Sequence, residues 1–124
     1  MEYTVKVQEN GNVKYYKPGT DILHREDGPA IENTDGHKAW YKEGKCHRED
    51  GPAVIFSTGC KAWYKEGNYH REDGPAIEYT DGSKSWYIDG KKLSEEKFEN
   101  RTKEAKVHTF TVPANTTQIR IQLE

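Results

Sequence analysis

The sequence predicts a mainly β protein, an elongated stack of 23-residue β-hairpin repeats with one short C-terminal helix and a final β-hairpin. The first observation behind this fold class is a 23-residue unit that occurs three times, at residues 23–45, 46–68 and 69–91. The second is composition, because only 32% of the 124 residues are hydrophobic. That fraction is too low for one wide core, so we expect each unit to pack against the next.

The repeat is strict. Twelve of the 23 positions are identical in all three copies, including the block HREDGPA and a Trp-Tyr pair. Residues 3–19 look like the back half of the unit in divergent form, with Tyr15-Tyr16 in place of Trp-Tyr. Terminal units of repeat arrays are commonly atypical. We therefore assign residues 1–91 to the repeat array and residues 92–124 to a C-terminal cap.

Within a unit, the residues from Ala30 to Thr34 form a β-compatible segment, and the residues from His37 to Lys42 form a returning strand. Asp35-Gly36 between them predicts a two-residue primed turn with Gly36 at positive φ. The turn residues Asp27-Gly28-Pro29 interrupt any helix, so no helix is expected before residue 93. Side-chain alternation predicts a ladder along one face, formed either by the tryptophans or by the tyrosines: Trp40, Trp63 and Trp86, or their Tyr neighbours.

The cap region departs from the repeat. Ser94 is a good N-cap residue, and Glu95 and Glu96 favour a helix start, so a helix is expected from about residue 95 to residue 105. Phe98 is its large apolar residue and should dock it. Residues 107–112 and 116–123 flank Pro113-Ala114-Asn115 and predict a final hairpin. We expect this hairpin to close the end of the array, with homo-oligomer formation through it as the alternative.

Composition also bounds the partners. The sequence has no run of about 18 apolar residues, and its first ten residues lack an apolar or basic leader. We therefore expect a cytoplasmic protein without membrane contact. The 19 Lys+Arg and 21 Asp+Glu argue against a generic nucleic-acid coat. The segment KAWYK, at residues 38–42 and 61–65, has the composition of a single-stranded nucleic-acid platform, but the acidic balance favours a packing role for its Trp.

Cysteine and motif content indicate neither a metal nor a cofactor. Cys46 and Cys60 are too few for a disulfide scaffold, and the thirteen residues between them fit no zinc spacing. The first stands at an apolar position of the unit and the second at a surface position. No P-loop, Rossmann fingerprint, nucleophile elbow or HExxH sequence is present.

The His-Arg-Glu-Asp block invites an enzymatic interpretation, since His beside carboxylates is common in acid–base catalysis. Catalytic sites are asymmetric, however, whereas this block occurs at equivalent places in three units, so we assign no catalytic residue. We expect each arginine of the set to pair with a carboxylate of the neighbouring unit. If the arginines and histidines face solvent, they form a row of donors suited to phosphates or to an acidic protein surface. These candidate binding residues are Arg25, Arg48, Arg71, His24, His47 and His70.

The middle unit differs from its neighbours. Ile55-Phe56 replaces Glu32-Asn33 and Glu78-Tyr79. Either the middle unit is the most buried one, or Phe56 and Tyr79 belong to an exposed apolar strip that binds a partner.

The repeat unit as a whole resembles a known class of repeat. The unit W-Y-x-x-G-K-x-H-R-E-D-G-P-A, followed by Thr58-Gly59 or Asp81-Gly82, resembles the MORN repeat and its bacterial variants over residues 3–91. The HREDGPA block is also similar to repeats in small proteins of tailed bacteriophages and giant viruses. The resemblance implies an elongated β array that contacts partners without catalysis.

Together these features predict a non-enzymatic protein-interaction module. By resemblance it is a phage or viral accessory protein that binds and inhibits or redirects a host factor, such as a defence component, in the host cytoplasm. The predicted face includes Phe56, Tyr79 and the arginines. The alternative is a protein that sequesters a small anionic ligand, such as a nucleotide signal, through its histidines and arginines. A third hypothesis, an enzyme using one HRED block, remains open to test.

Overall fold

In the computed structural model, which describes residues 1–104, the chain is mainly β with one short helix. The predicted final hairpin, and any oligomer contact through it, lie outside the described residues. The strands are β1 (Thr4–Val7), β2 (Val13–Tyr16), β3 (Ile31–Glu32), β4 (Lys38–Ala39), β5 (Tyr41–Lys42), β6 (Lys45–Cys46), β7 (Val54–Ile55), β8 (Lys61–Ala62), β9 (Tyr64–Lys65), β10 (Asn68–Tyr69), β11 (Ile77–Glu78), β12 (Lys84–Ile88) and β13 (Lys91–Leu93), and the helix is α1 (Glu95–Glu104).

Nine strands form one sheet in the order β1-β2-β3-β4-β7-β8-β11-β12-β13, and its strand pairs are antiparallel. The strands from β3 to β12 align two rows of residues across the sheet. The first row is apolar except at its last position and faces a group of tyrosines, and we call that side the tyrosine face: Ile31, Ala39, Val54, Ala62, Ile77 and the polar Ser85. The second row points to the opposite side, which we call the arginine face: Glu32, Lys38, Ile55, Lys61, Glu78 and Lys84.

Each full repeat contributes one hairpin to this sheet, namely β3–β4, β7–β8 and β11–β12. The turns differ from the predicted two-residue form. The N–H of Gly36 donates to the carbonyl of Asn33, and the N–H of Asn33 donates to the carbonyl of His37, so three residues lie between the paired ends. Gly36 has a φ of 96°, as predicted, but Asp35 does not have a positive φ. The loop therefore matches a turn followed by a left-handed glycine, not a primed turn.

A second hairpin, which the sequence pattern did not predict, follows in the first two repeats. β5 pairs with β6 and β9 with β10, outside the nine-stranded sheet. The chain leaves the main sheet at the tryptophan, so the predicted strand from His37 to Lys42 is divided. Glu43 and Glu66, at the turns, have φ values of 52° and 51°. Two successive positive-φ residues, Glu then Gly, are typical of a primed turn.

The core is thin and built largely from small residues. Ala30, Ala53 and Ala76 are all 0% exposed and lie beside the tryptophan positions of adjacent strands. On the tyrosine face, the rings of Tyr64 and Tyr69 are 4.5 Å apart and those of Tyr69 and Tyr87 are 4.9 Å apart. Among the described residues these ring contacts are therefore made by tyrosines, but Tyr69, which does not follow a tryptophan, lies between Tyr64 and Tyr87. The predicted direct ladder of Trp-neighbouring tyrosines is thus replaced by an alternating one. Trp40 and Trp63 have another role, described below.

The helix forms as predicted. The Ser94 hydroxyl accepts the N–H of Lys97 at 3.2 Å, which caps the start of α1. Phe98 is 6% exposed and docks the helix beside β12 and β13. Within residues 1–104 no helix is long and apolar enough to cross a membrane.

Candidate binding surface

The HRED segments connect successive hairpins on the arginine face. The N–H of His47 donates to the carbonyl of Trp40 in the preceding repeat, and the N–H of Arg48 donates to the carbonyl of Tyr64 in its own repeat. The other two copies repeat this pattern, with Tyr15 in the place of Trp40 for the first copy. These backbone bonds hold each arginine at the boundary between two units.

Each arginine side chain lies over an aromatic ring of the preceding unit. The Cζ of Arg48 is 3.8 Å from the centre of the Trp40 ring, and that of Arg71 is 3.9 Å from Trp63. Arg25 lies 3.9 Å from the Tyr15 ring, so Tyr15 takes the tryptophan position, as the divergent half-repeat predicts. Stacking of a guanidinium on an aromatic face is favourable through cation–π attraction.

The carboxylate partners of the arginines come from their own units, so the predicted pairing with a neighbouring unit is wrong. Nε of Arg48 donates to Asp50 at 3.0 Å, and Nη1 donates to the carbonyl of Pro52 at 3.0 Å. Arg25 and Arg71 bind Asp27 and Asp73 in the same way. The reason is proximity, because the tight turn after each arginine returns the aspartate to its guanidinium. The neighbouring unit supplies the aromatic ring instead.

The glycine of HREDGPA makes room for the guanidinium. A Cβ at Gly51 would lie 3.0 Å from Cζ of Arg48, and the two equivalent glycines meet their arginines at the same distance. The arginine is therefore held between an aromatic ring on one side and bare backbone on the other. The turn motif Asp-Gly-Pro by itself indicates only a turn residue here. The constant spacing of Arg and Gly in every copy was the available signal.

The histidines are structural acceptors. The N–H of Glu43 donates to Nδ1 of His24 at 2.9 Å, and His47 and His70 accept in the same way from Glu66 and Asp89. An Nδ1 that accepts carries no proton, so the rings are Nε2–H tautomers. The histidine side chains are only 9–10% exposed. The condition for a row of donors, that the histidines face solvent, is therefore not met.

Charge pairing shifts several pKa values on this surface. The hydrogen bond from Arg25 lowers the pKa of Asp27. Burial opposes the charge of Arg25, but hydrogen bonds to Asp27 and Glu32 outweigh it and raise its pKa. The hydrogen bond from Lys17 lowers the pKa of Glu43. These groups stay ionised at neutral pH.

Two grooves of the same construction lie between successive HRED turns. The groove between the second and third turns has a volume of about 620 Å³, with Trp63, His70 and both arginines in its lining. The groove between the first and second turns is about 570 Å³, with Trp40 and His47 in the equivalent places. Arg48 lines both grooves. Exposed carboxylates form their rims: Glu26, Asp27, Glu49, Asp50, Glu72 and Asp73.

The middle unit breaks the pattern at one contact. Nη1 of Arg25 donates to Glu32 at 2.8 Å, and Nη1 of Arg71 donates to Glu78 at 3.0 Å. Ile55 stands at the equivalent position of the middle unit, so Arg48 has one carboxylate fewer within the described residues. Its remaining carboxylate partner there is Asp50.

Phe56 and Tyr79 lie apart from the arginines. They are 38% and 42% exposed, but neither lines a groove between the HRED turns. Phe56 is the residue directly after β7 and pairs with Cys60 at the start of the turn, where its N–H donates to the Cys60 carbonyl. The ring of Phe56 lies 5.6 Å from that of His37 in an edge-on contact. Phe56 and Tyr79 therefore share neither of these two grooves with the arginines.

The two cysteines occupy different environments. Burial raises the pKa of Cys46 to about 12, and its side chain is 8% exposed, as its apolar position predicted. Hydrogen bonding to Thr58 and Thr80 lowers the pKa of the half-buried Cys60. In the part of the chain that the structure describes, no three His, Cys, Asp or Glu side chains converge as a metal site requires.

Comparisons with protein-family models, with curated proteins and with solved structures find no match for this chain.

Proposed function

We propose that this chain is a non-enzymatic protein-interaction module, built as an elongated stack of MORN-like 23-residue hairpin units. Its partner binds across the grooves of the arginine face. By the resemblance of its HREDGPA block, we further propose a phage or viral accessory protein that inhibits or redirects a host factor in the cytoplasm. The viral part of this proposal depends on that resemblance alone.

One observation carries the proposal: two adjacent grooves are built from the same contacts. In both, the histidine accepts a backbone N–H, and each arginine lies on an aromatic ring and binds the aspartate two residues later. Nδ1 of His47 and His70 is occupied by a backbone N–H, which leaves neither of these atoms free to act as a general base. Repeated grooves with aromatic floors and polar rims instead provide an extended contact area. Aromatic and arginine side chains are the residue types that contribute most at protein interfaces.

The surroundings of the arginines favour a protein over a small anionic ligand. Glu49, Glu72 and Asp73 are 75–86% exposed at their side chains and border the larger groove. Such carboxylates repel a phosphate-rich ligand, whereas a protein can meet them with basic residues at the rim. Sequestration of a nucleotide signal is therefore the second candidate, supported by the arginines but opposed by the rim.

The proposal is tested by affinity capture from a host-cell lysate. The bait is the full chain, either wild type or the double variant Glu49→Lys/Glu72→Lys, which reverses two exposed rim charges. Glu9→Lys, an exposed charge reversal outside the grooves, is the matched control. We expect one partner to be enriched by wild type and by Glu9→Lys, and lost from the double variant.

Two outcomes would count against this function. Equal recovery of the partner by the groove variant would exclude the arginine face. A nucleotide that copurifies with the wild-type chain in native mass spectrometry, and raises its melting temperature when added back, would favour the second candidate instead.

A further inference from the structure

The structure points to a specific contact within the proposed interface, at the place where the middle unit lacks a carboxylate. In the outer units a glutamate of the sheet completes the arginine cluster, at 2.8 Å for Glu32 and 3.0 Å for Glu78. In the middle unit Ile55 takes that position and leaves Nη1 of Arg48 with the Pro52 carbonyl as its hydrogen-bond partner among the described residues.

The strand register surrounds this position with positive charge. Ile55 is paired with Lys38 on one side and with Lys61 on the other, and both lysines are exposed. Glu78 stands between Lys61 and Lys84 in the same arrangement. Three cations therefore adjoin a carboxylate in the third unit, whereas three cations adjoin an apolar side chain in the second.

The guanidinium of Arg48 is fixed in position by three neighbours. The Trp40 ring lies on one side of it and the Gly51 backbone on the other, and Asp50 holds its Nε. Its side chain is 23% exposed, and it lines both grooves. Because the Arg48 side chain is already fixed before binding, little conformational entropy of this chain is lost when a partner's acceptor binds there.

We propose that the Arg48–Ile55 position binds an acidic side chain of the protein partner. The partner's carboxylate takes the place that Glu32 and Glu78 occupy beside the other arginines, while an apolar neighbour of that side chain contacts Ile55. A carboxylate is the expected ligand, because Arg25 and Arg71 donate to Glu32 and Glu78 at the equivalent positions of the outer units. This inference rests on the proposed function and names the chemistry of its central contact.

The test uses the full chain with ¹⁵N-labelled arginine side chains and two blocked peptides as probes. The acidic probe is Ac-Ser-Leu-Glu-Glu-Leu-Ser-NH2, and the matched control has glutamine in place of both glutamates. We expect the acidic probe to shift the Arg48 Nε–H signal saturably, with shifts at Arg25 and Arg71 at least threefold smaller. The glutamine probe should leave all three signals unchanged.

Two variants make the test specific. Ile55→Glu supplies the missing carboxylate from within the chain and should abolish the Arg48 response. Glu78→Ile copies the middle-unit arrangement into the third unit, with Arg71 between Lys61 and Lys84, and should create a second responding site at Arg71. Unchanged amide spectra elsewhere in both variants would show that the fold is retained.

Several outcomes would overturn the inference. They are no saturable response at Arg48, equal responses to the acidic and glutamine probes, and equal responses of all three arginines. Inorganic phosphate that saturates Arg48 at the same concentration as the peptide would show a general anion site. Shifts that depend on protein concentration without any probe would show a second copy as the occupant. Loss of this contact alone leaves the proposed function standing, because lysate capture through Glu49 and Glu72 tests that separately.

Discussion

The guanidinium of Arg48 lies 3.8 Å above the ring of Trp40, eight residues earlier and in the preceding repeat. Arg71 and Trp63 repeat the contact at 3.9 Å and with the same spacing of eight residues. The planar shape of arginine suits this position, because a lysine offers neither a stacking plane nor a fork of donors. The contact joins successive hairpins through a charged side chain on an aromatic ring.

Replacement of these arginines by lysine should therefore destabilise the chain. We expect Arg48→Lys to lower the free energy of unfolding by about 1–2 kcal/mol. Arg71→Lys should cost more by up to about 1 kcal/mol, since Arg71 also binds the partly exposed Glu78. Urea denaturation measures both values. A loss below about 0.5 kcal/mol at both positions would contradict the stacked role.

A side chain at position 51 should be destabilising while Arg48 is present. We expect Gly51→Ala to cost about 1–3 kcal/mol, because the new Cβ meets the Arg48 guanidinium. In the Arg48→Ala background the same substitution should cost much less. A double-mutant cycle from urea denaturation measures this coupling. Additive effects of the two substitutions would show that the glycine serves the backbone turn alone.

The three histidines should behave alike. His24→Ala, His47→Ala and His70→Ala each remove the acceptor of a backbone N–H and should each cost about 1–3 kcal/mol of unfolding free energy. His37→Ala is the control, because His37 contacts Phe56 and lies outside this set. Loss of a biochemical activity at one of the three positions, with stability unchanged, would instead support the enzymatic hypothesis.

The two thiols should differ in their reactivity towards alkylating reagents. We expect iodoacetamide to modify Cys60 first, because its lowered pKa raises the thiolate fraction near neutral pH. Cys46 should remain protected in the folded chain. Mass spectrometry of the peptides after timed quenching separates the sites, and Cys60→Ser should abolish the fast phase. Rapid labelling of Cys46 would contradict its buried position.

Burial of Cys46 also predicts a stability change at alkaline pH. Its pKa in the folded chain is raised to about 12, whereas a cysteine in the unfolded chain has a pKa of about 8.5. The unfolded state therefore loses its proton first, so the stability contribution is complete below about pH 8.5 and declines as the pH rises towards 12. Urea denaturation at pH 7 and pH 9.5 should show this decline, and Cys46→Ala should reduce it. An equal decline in the variant would assign the effect to other groups.

The turn at Glu66 should accept a better residue. Its φ of 51° is unfavourable for glutamate, while asparagine tolerates this region more readily. We expect Glu66→Asn to raise the free energy of unfolding by about 0.5 kcal/mol, with the N–H bond to His47 retained. Glu49→Asn, at an exposed position of ordinary φ, controls for the loss of charge. A destabilised Glu66→Asn would mean that its carboxylate near His47 matters more than its backbone.

Local features of this chain could be read from its sequence. The hairpins of the three repeats, the cap of α1 by Ser94, the docking of Phe98 and the positive φ of Gly36 all depend on a few neighbouring residues. Such residues determine turn and cap geometry through short-range sterics and hydrogen bonds. The divided second strand and the Glu-Gly turns were missed, because alternation in the sequence does not show where a strand leaves its sheet.

The arrangement of the candidate site was decided by tertiary structure. Arg48 meets Trp40 across a repeat boundary, and Ile55 stands between lysines of two different hairpins. These neighbours are set by strand register and by the path of the chain between units, which composition and spacing leave open. By itself the sequence determined the repeated hairpins and the equivalence of their HRED blocks. Only the packed sheet decided that Nδ1 of each repeat histidine accepts a backbone N–H and that each arginine binds an aspartate of its own unit. It also decided that, within the described residues, Arg48 alone among the three arginines lacks a glutamate partner from the sheet.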